Sequence, residues 1–259
     1  MGNLHWVPLF YFTDITFYAA MRDCFKLPLI ALVFMFFVIG CSSDPAPEPS
    51  PQKSKSANIS LPDFSTISTD EVYAYSCGDS LDFAAHVQPD SSWLFLPETT
   101  LKVMPVTSGS GAKYQAGGYI YWSKGNEAIL QKPTGSFLTC KTVPREKSWQ
   151  AARIRGVDFR ALGQEPGWHL EISDGGQMKY VGNYGNDSLT VATPEQSSAN
   201  SKDIKVYEVQ SKSHSISVEI TDEPCTDSMS GFKFPSTVTV TVDSETYRGC
   251  GRALSDIAQ

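Results

Sequence analysis

Short runs of apolar and β-branched residues, broken every few positions by Gly, Pro, Asp or Ser, occupy residues 59–141 and leave little room for anything but strands. The runs fall at 72–77, 81–87, 93–96, 100–103, 119–122, 128–131 and 137–140, and in the second of them Leu81, Phe83, Ala85 and Val87 alternate onto one face. A side-chain period of two with turns at this spacing predicts a small antiparallel barrel or sandwich. After a break at Pro144 the spacing predicts a short helix over 146–155, with Trp149, Ala152 and Arg153 at helical intervals. Residues 160–167 return to turn chemistry through Gln164-Glu165-Pro166-Gly167, and strands are expected again at 169–172, 179–181, 189–192, 204–209, 216–220 and 237–242. The fold class is all-β in two units, 58–143 and 144–259, with no obvious repeat between them. A hydrophobic fraction of 41% over 259 residues is enough for both cores.

The N-terminus reads as a leader, residues 1–40, with an alternative start at Met21. Arg22 and Lys26 precede an apolar run over 27–39, and Val38-Ile39-Gly40-Cys41 resembles a bacterial lipobox. That run is short of the ~20 residues that cross a bilayer. The expectation is therefore a lipid anchor on Cys41, whose acyl chains tether the chain without spanning. Ser42 and Ser43, rather than Asp, follow the cysteine, which directs the expectation to the outer membrane, facing the periplasm. Residues 41–57 form a tether with prolines at 45, 47, 49 and 51. At ~3 Å per residue in a polyproline conformation, it reaches up to ~50 Å.

The formal net charge of −7, with a sequence pI near 5.1, argues against a nucleic-acid partner and for a basic one. Residues 41–259 keep that −7. Of six cysteines, Cys24 lies in the leader and Cys41 at the anchor. The other four, Cys77, Cys140, Cys225 and Cys250, allow three pairings. The two-unit division favours Cys77 with Cys140 and Cys225 with Cys250, each bridge contributing roughly 3 to 4 kcal/mol by loop entropy. There is no Cys-x-x-Cys pair, and His86, His169 and His214 stand apart, so neither a metal nor a cofactor is expected. Oligomeric state stays open.

Residues 108–125 hold glycines at 109, 111, 117, 118 and 125 and read as a presented loop fixed to a sheet by Tyr119, Ile120, Tyr121 and Trp122. Ser110 offers a small hydroxyl donor and Lys124 a mobile cation, a pair that a carboxylate-bearing cleft would accept. Ser110-Gly111-Ala112-Lys113-Tyr114 and Trp122-Ser123-Lys124-Gly125 resemble the paired turns of the bacterial lipoprotein and periplasmic inhibitors of c-type lysozyme. Tyr75-Ser76-Cys77-Gly78 and Leu138-Thr139-Cys140 fit that family's half-cystine framework, so the resemblance runs over 72–140. It implies an eight-stranded antiparallel barrel and a c-type lysozyme as partner. Such a glycosidase works with two carboxyl groups flanking the scissile bond. The resemblance assigns Ser110 to hydrogen-bond one carboxyl and Lys124 to pair with the carboxylates, on turns made by Gly111 and Gly125. Lys113 and Tyr114 would shape the turn or touch the rim, and Lys113 stands where the family often has Arg. The expected protein is an inhibitor, not an enzyme.

Two other readings compete. Ser110-Gly111-Ala112-Lys113 satisfies the Ser-x-x-Lys pattern of penicillin-recognising enzymes, with Tyr184-Gly185-Asn186 as a conceivable second element. Ser50-Pro51-Gln52-Lys53 satisfies it equally, no Lys-Thr-Gly or Lys-Ser-Gly occurs, and strand formers instead of a helix follow Ser110. A Gly-x-Ser-x-Gly elbow is also lacking. The other reading is a structural or ligand-binding envelope protein whose function lies in 144–259. There Glu165-Pro166-Gly167-Trp168, residues 225–231 and Gly249-Cys250-Gly251 resemble a domain of uncharacterised bacterial envelope proteins, which brings no activity with it. Asp227 and Ser230 in that part are expected to satisfy turn backbone groups.

Overall fold

Eight strands close on themselves in chain order: β1 (Val72–Ser76), β2 (Asp82–Gln88), β3 (Ser91–Phe95), β4 (Thr100–Val106), β5 (Ala112–Ala116), β6 (Tyr119–Lys124), β7 (Glu127–Gln131) and β8 (Phe137–Thr142). The computed structural model describes residues 61–198 and 204–254; the expected leader, Cys41 and the proline-rich tether lie outside them. Each strand pairs antiparallel with the next, and β1 closes on β8 through Tyr75 opposite Thr142 and Ser76 opposite Lys141. The Cys77–Cys140 disulfide sits beside this seam. Inward residues Phe83, Ala85, Leu94, Val103, Tyr114, Tyr121 and Leu130 fill the barrel. Closure leaves no free edge to pair with another chain.

Strands β2 and β3 are apolar on both faces because both faces are covered. Outward-facing Val72, Ala84, Trp93 and Phe95 pack against Ala151 and Ile154 of α1 (Lys147–Ile154), with Phe64 and Ile67 of the preceding segment over them. The other side of α1 sets Trp149 and Ala152 against Val157, Phe234, Cys250 and Leu254. The helix is thus a packed joint, and Ile59–Gln259 is one compact unit.

Past α1 the chain forms β9 (Phe159–Gly163), β10 (Trp168–Ile172), β11 (Gln177–Gly182), β12 (Asp187–Ala192), β13 (Ser197–Ser198), β14 (Ile204–Gln210), β15 (Ser215–Thr221), β16 (Cys225–Thr226), β17 (Lys233–Phe234), β18 (Ser236–Val242) and β19 (Glu245–Ala253). Nine of them make one sheet in the order β12-β11-β10-β9-β19-β18-β15-β14-β13, while β16 pairs with β17. The sheet curls around a core that includes Leu170, Ile172, Met178, Val218, Val238 and Val240. The Cys225–Cys250 disulfide ties β16 to β19.

The structure adds six strands to the sequence reading, the two-residue β13, β16 and β17 and three longer ones. Residues 112–116, expected inside a loop, form β5. Residues 160–163, expected as turn, form most of β9, a strand near the middle of the sheet; Arg160 broke the apolar pattern, yet it is buried because Glu171 accepts from it at 3.2 Å. The long strand β19 escaped notice because Gly249 and Gly251 look like breakers. A Cβ on Gly249 would stand 2.1 Å from the Leu162 carbonyl oxygen, so close backbone approach requires glycine there.

Candidate functional site

The register β4–β5–β6–β7 decides which loops meet. Val106 lies opposite Lys113, Ala112 opposite Ser123, and Lys124 opposite Glu127. The β4–β5 connection carrying Ser110 and the β6–β7 turn carrying Gly125 therefore emerge side by side at one end of the barrel. Ser110 and Lys124 are both exposed. Lys124 makes no ion pair among the described residues.

Hydrogen bonds hold the Ser110 backbone in place. The Trp122 indole N–H donates to the Ser110 carbonyl oxygen at 2.7 Å. The Ser108 hydroxyl lies 3.0 Å from the carbonyl oxygens of both Ser110 and Gly111. Gly111 has φ +69°, and a Cβ there would meet the Ser123 carbonyl oxygen at 2.3 Å, so the two turns touch through a residue without a side chain. Gly125 has φ +59° but open space around it.

Lys113 and Tyr114 fall on opposite faces of β5. The Lys113 ammonium lies 5.4 Å from the centre of the Trp122 ring, bracing the indole that clamps Ser110. Tyr114 is only 6% exposed and stacks on Tyr121 inside the barrel with centroids 5.8 Å apart. Its ring therefore lies inside the barrel, on the strand that leads away from the Ser110 turn. Tyr121 in turn places its hydroxyl 2.9 Å from that of Tyr75, and desolvation pushes its ionisation far up, so this pair stays neutral. The role of Ser108 was missed by the sequence reading. An indole N–H beside a Gly-Ser turn, in need of an acceptor, was the available signal for Trp122.

Ser110 precedes a strand and Lys113 lies on it, which removes the helix that a Ser-x-x-Lys nucleophile needs. Asp227 accepts from the Ser230 amide at 2.8 Å and the Ser230 hydroxyl at 2.5 Å, the turn-capping role expected of that pair. Gln164 donates to the other carboxylate oxygen at 3.3 Å, tying the 164–167 turn to this loop.

A disulfide-closed antiparallel barrel that presents two adjoining turns, a braced one with a hydroxyl and a second with an ammonium, is the class of protein this geometry defines. A family described as membrane-bound lysozyme-inhibitor of c-type lysozyme matches residues 75–136. The membrane-bound lysozyme inhibitor of C-type lysozyme from Pseudomonas aeruginosa is 32% identical over 115 residues, which span 86% of that protein and 42% of this chain. The chain belongs to this inhibitor family. No solved structure matches it.

Proposed function

We propose that this chain inhibits c-type lysozyme by inserting the Ser110 and Lys124 turns into the enzyme's active-site cleft. The observation that carries the reading is the pairing itself: an exposed hydroxyl and an exposed ammonium on adjoining turns, the first held by the Trp122 bond at 2.7 Å. A lysozyme cleft holds one protonated and one ionised carboxyl group. Ser110 meets the first as a hydrogen-bond partner and Lys124 the second as a counter-ion. Because the turn is already braced, little ordering entropy opposes binding. Membership of a family of inhibitors, rather than catalysts, supports a non-enzymatic role.

Lipidation at Cys41 would hold the inhibitor at the outer membrane, facing the periplasm, with residues 42–57 as the tether. Labelled palmitate fed to the producing cells is expected in the wild-type chain and absent from Cys41→Ala; equal label in both would remove the anchor from the proposal.

The direct test is hydrolysis of a bacterial cell-wall suspension by a c-type lysozyme, titrated with the full chain and with Ser110→Ala and Lys124→Ala. Wild type should inhibit stoichiometrically, and each variant should lose about 1 to 3 kcal/mol of binding. Folded wild type without effect on hydrolysis, at low and moderate salt, would overturn the reading.

A further inference from the structure

Across β19, β9, β10 and β11 runs a row of charged side chains set by register: Arg252 opposite Arg160, Arg160 opposite Glu171, and Glu171 opposite Lys179. Cross-strand neighbours on one face are close enough to interact. At one end Arg252 is paired with Glu146. At the other, Arg155 from the end of α1 donates to both oxygens of Glu171 at 2.8 and 3.0 Å, and Arg160 donates to one of them at 3.2 Å. Two guanidiniums thus share a single carboxylate. Arg160 is 8% exposed, lies 5.2 Å from the centre of the Trp149 ring, and is pulled down by desolvation, which marks a costly cation.

This end of the row opens into a cleft of about 730 Å³, lined by Arg155, Arg160, His169, Glu171 and Lys179, with Thr66 and Thr69 of the preceding segment and Ser173 at its sides. Three cations face one carboxylate. His169 adds no charge at neutral pH, since burial and then the Arg160 guanidinium pull it down to about 4. Among the described residues, Glu171 is the one carboxylate of the lining; Asp158, which accepts from the Asp174 amide at 2.7 Å, and Asp174 lie outside it, and neither forms an ion pair with the lining cations. Lys179 is exposed at the rim and has no ion-pair partner among the described residues.

We infer that the cleft between the end of α1 and the outer face of β9–β11 is a binding site for a small polar molecule with an oxyanion head, a phosphate or a carboxylate. Guanidiniums fit such heads through paired N–H donors, and the ammonium of Lys179 completes the charge match. The cleft exceeds what a lone anion fills and falls within the range of small-ligand pockets; its hydroxyl and amide lining suits a polar body. This site lies on the second sheet and is independent of the paired turns on the barrel.

The test is isothermal titration of the full chain with inorganic phosphate and, separately, with succinate, at ionic strength matched by sodium chloride. Lys179→Gln removes the rim cation without touching a buried pair, and Lys141→Gln, an exposed barrel lysine, serves as control. Saturable binding of phosphate or of succinate is expected, weakened at least about threefold in Lys179→Gln and unchanged in Lys141→Gln. Phosphate binding alone identifies a phosphoryl ligand and succinate binding alone a carboxylate one. No saturable heat with either up to about 10 mM, or binding that survives Lys179→Gln, overturns the site. Inhibition of lysozyme should be equal in wild type and Lys179→Gln, so the two proposals stand or fall separately.

Discussion

The two turn glycines differ in what surrounds them, and that difference is measurable. Both adopt positive φ, so alanine at either is strained by about 1 to 2 kcal/mol. At Gly125 nothing lies within 4 Å of the added Cβ, whereas at Gly111 it meets the Ser123 carbonyl oxygen at 2.3 Å and must push the turns apart. Urea unfolding should therefore show Gly111→Ala as the less stable of the two. Another residue-scale prediction concerns His169, whose pKa falls from 6.5 to about 4, first through burial and then through Arg160. The unfolded chain takes up this proton near its ordinary value while the native chain does so only near 4, so stability falls as pH drops through that window. His169→Gln should flatten the change in urea midpoint between about pH 7 and about pH 5. The turns at Gly111 and Gly125 were legible in the sequence because turn chemistry is local, while Ser110 and Lys124 were singled out through the resemblance to the inhibitor family. The burial of Tyr114 was not legible, because Lys113 and Tyr114 part to opposite faces only once 112–116 becomes a strand.

At the scale of elements, α1 carries more than its eight residues suggest. Trp149 is 4% exposed, and its ring faces the guanidiniums of Arg160 at 5.2 Å and Arg252 at 4.6 Å. Trp149→Ala should cost about 3 to 5 kcal/mol in urea unfolding, since it leaves a cavity and strips both cations of their aromatic partner. The helix itself was readable from the spacing of Trp149, Ala152 and Arg153. Its two-sided packing was not, because the residues that cover it come from β1 to β3 on one side and from β17 and β19 on the other. The same non-local logic hid β9, whose Arg160 is acceptable in a strand only when Glu171 stands across from it.

For the whole molecule, closure and charge matter most. The Cys77–Cys140 bridge spans 63 positions and the Cys225–Cys250 bridge 25. By loop entropy the first should stabilise by about 4 kcal/mol and the second by somewhat less, so Cys77→Ala/Cys140→Ala should lower the urea midpoint more than Cys225→Ala/Cys250→Ala. A net charge of −7 should steer the chain toward a cationic lysozyme, with an association rate that falls steeply with salt while dissociation changes little; stopped-flow fluorescence over a salt series reads both. Period-two patterning and glycine chemistry act over short stretches of chain, so the all-β class, most of the strands and the turn glycines were readable from the sequence; the four cysteines left three pairings, and the observed one followed only from dividing the chain at Pro144. Tertiary structure alone decided that β1 meets β8, that two separate turns become one surface, and that Arg155, Arg160, Glu171 and Lys179 gather in one cleft. Those outcomes depend on register and on contacts between distant segments, which no local pattern encodes.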